Sequence, residues 1–545
     1  MAESRRRHRW YYRPDEIVVA VQLREAEQEA ERAHTSVLEA LAQKLAGRTG
    51  GLFSQRQARQ SPIVFRAEGK PPLAFLFFEL EQAEHANAKK AVLDAQAPDS
   101  LDRLRETGVE PLGVMPHWLG SAMQDFSGGS PATLPRPTRP RRSTSPWRRR
   151  YTATDRGLDF RDRLRRGRGL SPVPVLVLDT PPDWGRAQRQ AGRFADVNAQ
   201  LPELLEFLGD TSVPGWHADA LLALDRSGLK LAATPSRRAG HDVSDHALFI
   251  AGLIHDLAPT SAISLRPVLN RFGVGDLHLL LQVLADVTRS KPSEQPVVIN
   301  MSLGFMPNLE YLPWLWFGVS RPNDPDFAGD VAIRDEPRNQ AWLIANRAEV
   351  DRTRALLHGG LDQLGGYLLA NNCFGVAAAG NDSLTRVERG SPRLGPRYPA
   401  RDEAVLGVAA TTLDPETAAA YSNVGEEVEV GDHIATFGGD TRGDSDTPRN
   451  GVIGVYTATT YPAAPGEAAA DLKNENGWAE WSGTSFSTAI ASGLVAGYWT
   501  VERSRRPNLA AADVLAQFHA LAQHYAPAVR TASIAVEGEW ERVPR

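Results

Sequence analysis

Four short apolar runs constrain this 545-residue chain more than anything else in it: "VPVLVLD" (173–179), "PVVINMSLG" (296–304), "FGVAAAGN" (374–381) and "AVLGVAATT" (404–412). None alternates apolar with polar residues, as a strand exposed on one face does. Near-continuous apolar strands separated by helical stretches imply a parallel sheet covered by helices on both faces, an α/β class. Each run ends in polar or glycine-rich residues. Ligand sites in such sheets lie beyond the carboxyl ends of the strands, so candidate chemistry is sought there.

Asp179 closes the first run, where a carboxylate could orient a histidine or simply form a turn within "DTPPD". His246 opens "HALFIAGLIHDLAP", whose apolar spacing is that of a buried helix. Asn381 ends a strand of small residues that leaves room for another chain alongside. Ser485 lies in "WSGTSFSTAI" (481–490), a cluster of hydroxyls at the start of a helix rich in Ala, Ser and Gly. Such hydroxyls can cap free N–H groups, or one can be a nucleophile held at the helix N-terminus. Taken singly, each residue also has an ordinary structural use.

Together they form a pattern. The order Asp, His, Asn, Ser resembles that of the subtilases, the subtilisin-like serine peptidases. The resemblance rests on "VLVLDT", "HALFIAG", "INMSLG", "AAAGN" and "GTSFSTAIASG", supported by "YPA", "VLGVAAT" and "YSNVG" (421–425). It covers about residues 171–525 and implies a subtilisin-like parallel sheet. It also implies a triad in which Ser485 attacks, His246 is base and then acid, and Asp179 orients it. Asn381 and the Ser485 N–H would receive the oxyanion. Thr484, Ser487 and Thr488 would cap and pack. Substrate would lie as a strand along Ser302, Leu303, Gly304 and Phe305, its P1 side chain in a pocket walled by Ala377, Ala378, Ala379 and Gly380. The chain departs from the family where Ala247, Leu248 and Phe249 follow the histidine. It departs again where Phe486, Ser487, Thr488 and Ala489 follow the nucleophile, and where Pro181 and Pro182 replace the usual glycine.

Upstream, residues 14–118 read β-α-β-β-α-β, the ferredoxin-like order: a strand at 16–23, a helix at 25–46, paired strands around "GKPP", two helical stretches and a strand at 109–115. Subtilases commonly carry a propeptide of this order, so the resemblance implies a small α+β N-terminal domain (1–125) that inhibits the cleft. Its segment "PHWLGSAMQ" (116–124) would lead into the groove, with a scissile bond in or just after it. A partner-binding module is the alternative. Thirteen arginines between Arg136 and Arg168 mark a linker (126–170), read as solvated; without a nucleic-acid module around them they are a weak signal, and nucleic acid is not expected as a partner. The peptidase domain is placed at 171–525 and a weakly patterned tail at 526–545. Between Gly304 and Asn381 lies an insertion with Tyr311, Trp314, Trp316 and Phe317, either a satellite core or a rim that narrows substrate choice.

Composition excludes little else. With 42% hydrophobic and 23% charged residues, the chain has a globular balance, and no apolar stretch reaches the length of a membrane span. The single Cys373 forms no internal disulfide, and the N-terminus lacks an apolar signal core, so a cytoplasmic location is expected. No cofactor or metal is expected; the partners are a protein or peptide substrate and the chain's own N-terminal domain, with no membrane. The functional expectation is a serine endopeptidase. Its rivals are a silent peptide-binding pseudoprotease and a transpeptidase or cyclase.

Overall fold

The computed structural model describes residues 12–23, 62–79, 88–121, 170–208, 242–306, 344–384, 393–412, 417–424, 433–439, 451–462 and 472–522, with shorter stretches besides. The chain divides into two compact units. The first comprises residues 1–120, 276–293 and 305–371; the second comprises 121–275, 294–304 and 372–545.

In the first unit, strands β1 (Tyr12–Gln22), β2 (Ile63–Ala67), β3 (Lys70–Glu79) and β4 (Glu110–Ser121) form an antiparallel sheet in the order β4-β1-β3-β2. Helices α1 (Ala88–Ala95) and α2 (Pro98–Glu106) precede β4. The β2–β3 hairpin turns at Gly69, whose φ of 73° lies in the left-handed region that glycine adopts without strain. This is the strand order of a ferredoxin-like sheet. The helix expected over 25–46 lies almost wholly outside the described residues. The unit also takes in helix Leu277–Ser290 and, from the insertion, helices Arg347–His358 and Leu364–Ala370. Trp316 of the insertion is buried, its ring 6.1 Å from Tyr12 and 6.3 Å from Trp118. That residue therefore belongs to a core; Tyr311, Trp314 and Phe317 lie outside the described residues.

A buried charged cluster occupies the same unit. His117, on β4, is fully buried, and its Nδ1 is hydrogen-bonded to the Glu16 carboxylate on β1. Its Nε2 lies 3.2 Å from the His278 backbone nitrogen and 3.7 Å from Asp276 Oδ1. The first contact suits a neutral ring and the second a charged one. Burial alone would push the His117 pKa down, but the facing Glu16 and Asp276 carboxylates outweigh it and raise it to about 9. His117 is therefore read as charged at neutral pH. Arg13 completes the charge balance with a 2.7 Å bond to Asp276, which also caps helix Leu277–Ser290 by accepting the Leu279 N–H at 3.0 Å.

The second unit is built on a parallel sheet: β5 (Val175–Asp179), β6 (Ile263–Pro267), β7 (Val297–Met301), β8 (Cys373–Ala378), β9 (Leu406–Thr411), β10 (His433–Phe437) and β11 (Ala532–Ser533). Its order is β11-β10-β9-β8-β7-β5-β6. All residues of β5, β7, β8 and β9 are buried, as their unbroken apolar character requires. Two buried helices bring chemistry to the sheet's carboxyl ends, α3 (His246–Leu257) and α4 (Thr484–Arg503). Gly493 of α4 permits their close approach, since a Cβ there would lie 2.7 Å from Leu257 Cβ.

The expected linker and tail both contribute strands here. Arg136 and Pro137 pair antiparallel with Glu480 and Ala479, and Thr152 and Ala153 pair with Glu537 and Val536. Short two-residue pairings carry no hydrophobic period, which is why neither segment shows one.

Candidate active site

Asp179 ends β5 with its carboxylate buried. It accepts the Thr180 backbone N–H at 2.6 Å and faces His246 Nδ1 with both oxygens, at 2.8 and 2.9 Å. A carboxylate placed so keeps the proton on Nδ1 and leaves Nε2 as the basic nitrogen. His246 is the first residue of α3. Its neighbour Asp245 is also buried and accepts the Thr457 hydroxyl, the Ala458 N–H at 2.7 Å and an ion pair from Arg186 at 3.4 Å. Burial pushes the Asp245 carboxyl above its ordinary pKa, with Arg186 and these hydrogen bonds opposing. No sequence pattern marked this support for the start of α3, because its members come from three separate segments.

Aromatic rings pack on the imidazole. Trp481 lies 5.4 Å and Phe486 5.6 Å from the His246 ring, and Phe249 is 4.6 Å from Phe486 and 5.6 Å from Trp481. Two of the residues that depart from the family pattern, Phe249 and Phe486, thus pack against each other.

Ser485 is the second residue of α4 and is buried. Its hydroxyl donates to the Ser302 carbonyl at 3.0 Å, and the Ser302 hydroxyl returns a bond to the Ser485 carbonyl at 3.0 Å. The expected capping by the other hydroxyls is not what the helix shows: it has no side-chain cap, and Ser487 and Thr488 both donate back to the Thr484 carbonyl, at 2.8 and 2.6 Å, because their positions inside the first turn place a carbonyl and not a free N–H within reach. Thr484 fixes Asn381, whose Oδ1 accepts the Thr484 N–H and hydroxyl, each at 3.0 Å. Since Oδ1 is the accepting atom, the Asn381 NH₂ is the donor end of the amide.

Beside Asn381 lies a small pocket lined by Ser121, Leu303, Gly304, Ala378, Gly380, Asp382, Arg397 and Thr484. Of the residues expected as its wall, Ala378 and Gly380 line it, whereas Ala379 packs with Ala409 and Ala435 in the core. Ala377 precedes Ala378 on β8 and so shares the face of Ala379, because side chains alternate along a strand. Gly380 has φ 110°, and a Cβ on it would come 2.5 Å from Asn423 Nδ2, so glycine is required there. Ser302, Leu303 and Gly304 belong to this unit; Phe305 belongs to the first, where it is buried against Gly120.

Two pocket residues escaped the sequence reading. Asp382 and Arg397 form a buried two-pronged ion pair, with Arg397 Nε 2.7 Å from Oδ2 and Nη2 bonded to Oδ1. Asn423 steadies the carboxylate, donating to Oδ2 at 2.9 Å and accepting the Asp382 N–H at 3.0 Å. Among the described residues, no group of three or more His, Cys, Asp or Glu side chains is placed to hold a metal ion, and no helix is long and apolar enough to cross a membrane.

A family model described as "Subtilase family" matches residues 278–524. That segment holds Ser485, Asn381 and the Ser302 strand, while Asp179 and His246 precede it. No curated protein matches the chain. Among solved structures, a lanthipeptide protease aligns at 16% identity and TM-score 0.39, covering 67% of this chain and 85% of that one. The epidermin leader peptide processing serine protease (EpiP) from Staphylococcus aureus aligns at 12% identity and TM-score 0.42, covering 96% and 97%. An S218A mutant of the protease domain of PatA aligns at 19% identity and TM-score 0.36, covering 68% and 94%.

Proposed function

The chain carries a domain of the subtilase family of serine peptidases, and from that premise we propose that it is an endopeptidase using Asp179, His246 and Ser485 as its triad. The observation that carries this reading is the two-oxygen grip of buried Asp179 on His246 Nδ1, at 2.8 and 2.9 Å. It sets the tautomer in which Nε2 can take a proton and lets the imidazolium form beside a fixed negative charge.

A serine hydroxyl is a weak nucleophile until a base removes its proton. The Ser485 hydrogen rests on the Ser302 carbonyl; a turn about the Cα–Cβ bond transfers it to Nε2 as Oγ attacks the substrate carbonyl carbon. The oxyanion is received by the Asn381 NH₂ and the Ser485 N–H at the start of α4, where the helix dipole favours negative charge. His246 then protonates the leaving amine, and water completes hydrolysis. Substrate lies as an extended strand along Ser302–Phe305, held by backbone bonds, so that side-chain pockets supply selectivity. The ferredoxin-like N-terminal domain acts as a tethered inhibitor of the same groove, at the high effective concentration of an attached segment.

A fluorophosphonate probe tests the nucleophile. Labelling of Ser485 alone, lost in Ser485→Ala, is expected, because a hydroxyl reacts readily only beside a base and an oxyanion site. The protein is probed both intact and after tryptic nicking of the arginine-rich stretch at 136–168. Labelling that persists in Ser485→Ala, or its absence from folded protein in both forms, would refute the assignment.

A further inference from the structure

His246 is the first residue of its helix, where backbone groups lack their full set of helical partners and a side chain is least well held. Asp179 grips the ring from one end. At the backbone end stands Asp245, in the position from which an aspartate ordinarily turns back to cap the free N–H groups of the first turn. Asp245 makes no such bond. Its carboxylate turns instead to a separate segment, accepting the Thr457 hydroxyl on one oxygen and the Ala458 N–H on the other at 2.7 Å, with its side chain only 3% exposed.

One guanidinium ties these parts together. Arg186, from helix Trp184–Phe194, donates through Nε to the Thr457 hydroxyl at 3.2 Å and through Nη2 to the Ser244 hydroxyl at 3.0 Å, with Nη2 also 3.4 Å from the Asp245 carboxylate. Each hydroxyl passes its own hydrogen to a carboxylate, Thr457 to Asp245 and Ser244 to Asp242. The turn before the helix is also tied to the strand end that carries Asp179. Thr180 donates its hydroxyl to the Val243 carbonyl at 3.2 Å, and the same carbonyl accepts the His246 N–H at 2.9 Å. All of these residues lie in the second unit.

We infer that Asp245, clamped by Arg186 and Thr457, is a positioning residue for His246, fixing the imidazole where Nε2 can take and return a proton. The inference rests on the peptidase reading above and adds to it a requirement outside the triad. Asp245 takes no proton itself; it acts through the backbone it shares with His246. A residue serving only the helix would do so better as a neutral cap, since burial penalises the charge that Arg186 and the hydrogen bonds have to offset. Misplacing a catalytic group by about 1 Å can cost about 10²-fold in rate, so loosening the clamp should slow the chemistry and leave binding almost untouched.

Two readouts on the full chain test this, with circular dichroism confirming that each variant is folded. The first is the rate of fluorophosphonate labelling of Ser485 against probe concentration, in whichever form of the wild type labels, intact or nicked. Thr457→Val keeps the shape and removes the hydroxyl, and Asp245→Asn removes one acceptor. Each should lower the maximal labelling rate by about 10- to 100-fold while the half-saturating concentration stays within about threefold of wild type. Thr457→Ser restores the hydroxyl and should recover most of the loss. The second readout needs no nucleophile: the far-downfield proton resonance of His246 Nδ1–H, assigned by its loss in His246→Gln, should be sharp in wild type and in Thr457→Ser, and broadened by exchange with water in Thr457→Val and Asp245→Asn. Wild-type labelling rates and an unchanged resonance in both of those variants would overturn the inference. So would a loss in Thr457→Ser equal to that in Thr457→Val, or a folded wild type without the resonance. A wild type that the probe never labels would refute the peptidase reading instead, and the resonance then decides the positioning of His246 by itself.

Discussion

Raising the pH should loosen the first unit, and His117 is the reason. Its ring is held between Glu16 and Asp276, with Arg13 and His278 also facing the cluster and Phe77 stacked edge-on at 5.1 Å. Burial pushes the neighbouring His278 down to about 4, so that ring stays neutral across the range considered. For His117 the folded pKa of about 9 lies above the ordinary 6.5, so the folded state holds the proton more tightly than the unfolded one. The stabilisation is therefore complete below pH 6.5 and is lost as pH rises through about 9. At about 1.36 kcal/mol per pKa unit, the difference between those values corresponds to about 3 kcal/mol, an order-of-magnitude figure that already includes the facing carboxylates. Hydrogen exchange read by mass spectrometry reports it locally. After correction for intrinsic rates, protection of peptides from β1 (Tyr12–Gln22) and β4 (Glu110–Ser121) should fall by roughly a hundredfold between pH 6.5 and pH 9.5. His117→Gln should flatten that dependence, since glutamine cannot gain the charge. Corrected protection that is flat in the wild type, or that falls as steeply in His117→Gln, would refute the charged-histidine account.

Two further outcomes follow from the second unit. Asn381→Leu should lower kcat by about 10²–10³-fold with little change in KM, because the bond it removes strengthens in the transition state; the magnitude is the one known for such a donor in subtilisin, and an unchanged kcat would make Asn381 a structural partner of Thr484 only. Arg397→Ala should destabilise the second unit to urea by about 3–5 kcal/mol through the unpaired Asp382 carboxylate, and Asp382→Ala/Arg397→Ala by clearly less; a double change costing the sum of the single ones would show that the two charges do not depend on each other.

What was legible in the sequence was whatever repeats with a local period or carries a fixed local motif. Unbroken apolar runs gave β5, β7, β8 and β9, whose burial on both faces removes any alternation. Ser485 and Asn381 stood out as candidates only through the joint order Asp, His, Asn, Ser and its resemblance to the subtilase motifs, since each local pattern alone fits an ordinary cap or turn. Strand β10 (His433–Phe437) was not singled out, and β11 (Ala532–Ser533) has two residues and no period to reveal. The Arg397–Asp382 pair was illegible for a different reason. An arginine before "YPA" and an aspartate after "AAAGN" look like solvated loop residues until the fold places their side chains within hydrogen-bonding distance. The same holds for Arg186, Asp245 and Thr457, and for His117 with Glu16 and Asp276: ion pairs distant in sequence have no sequence signature.

Two of the departures from the family pattern, Phe249 and Phe486, make physical sense once seen as one cluster. Phe249 follows His246 by three residues, so on α3 it lies on nearly the same face, one turn along. Phe486 follows Ser485 directly, and the two rings meet at 4.6 Å with Trp481 against both, at 5.6 and 5.2 Å. Room for the Phe249 ring is made by Gly454, where any Cβ would come within 2.8 Å of it. A polar residue at either phenylalanine position would put an unsatisfied group among aromatic faces next to the imidazole, at a cost of about 1–3 kcal/mol. Phe249, Phe486 and Trp481 thus form one apolar wall around His246, while Asp179 is its polar partner.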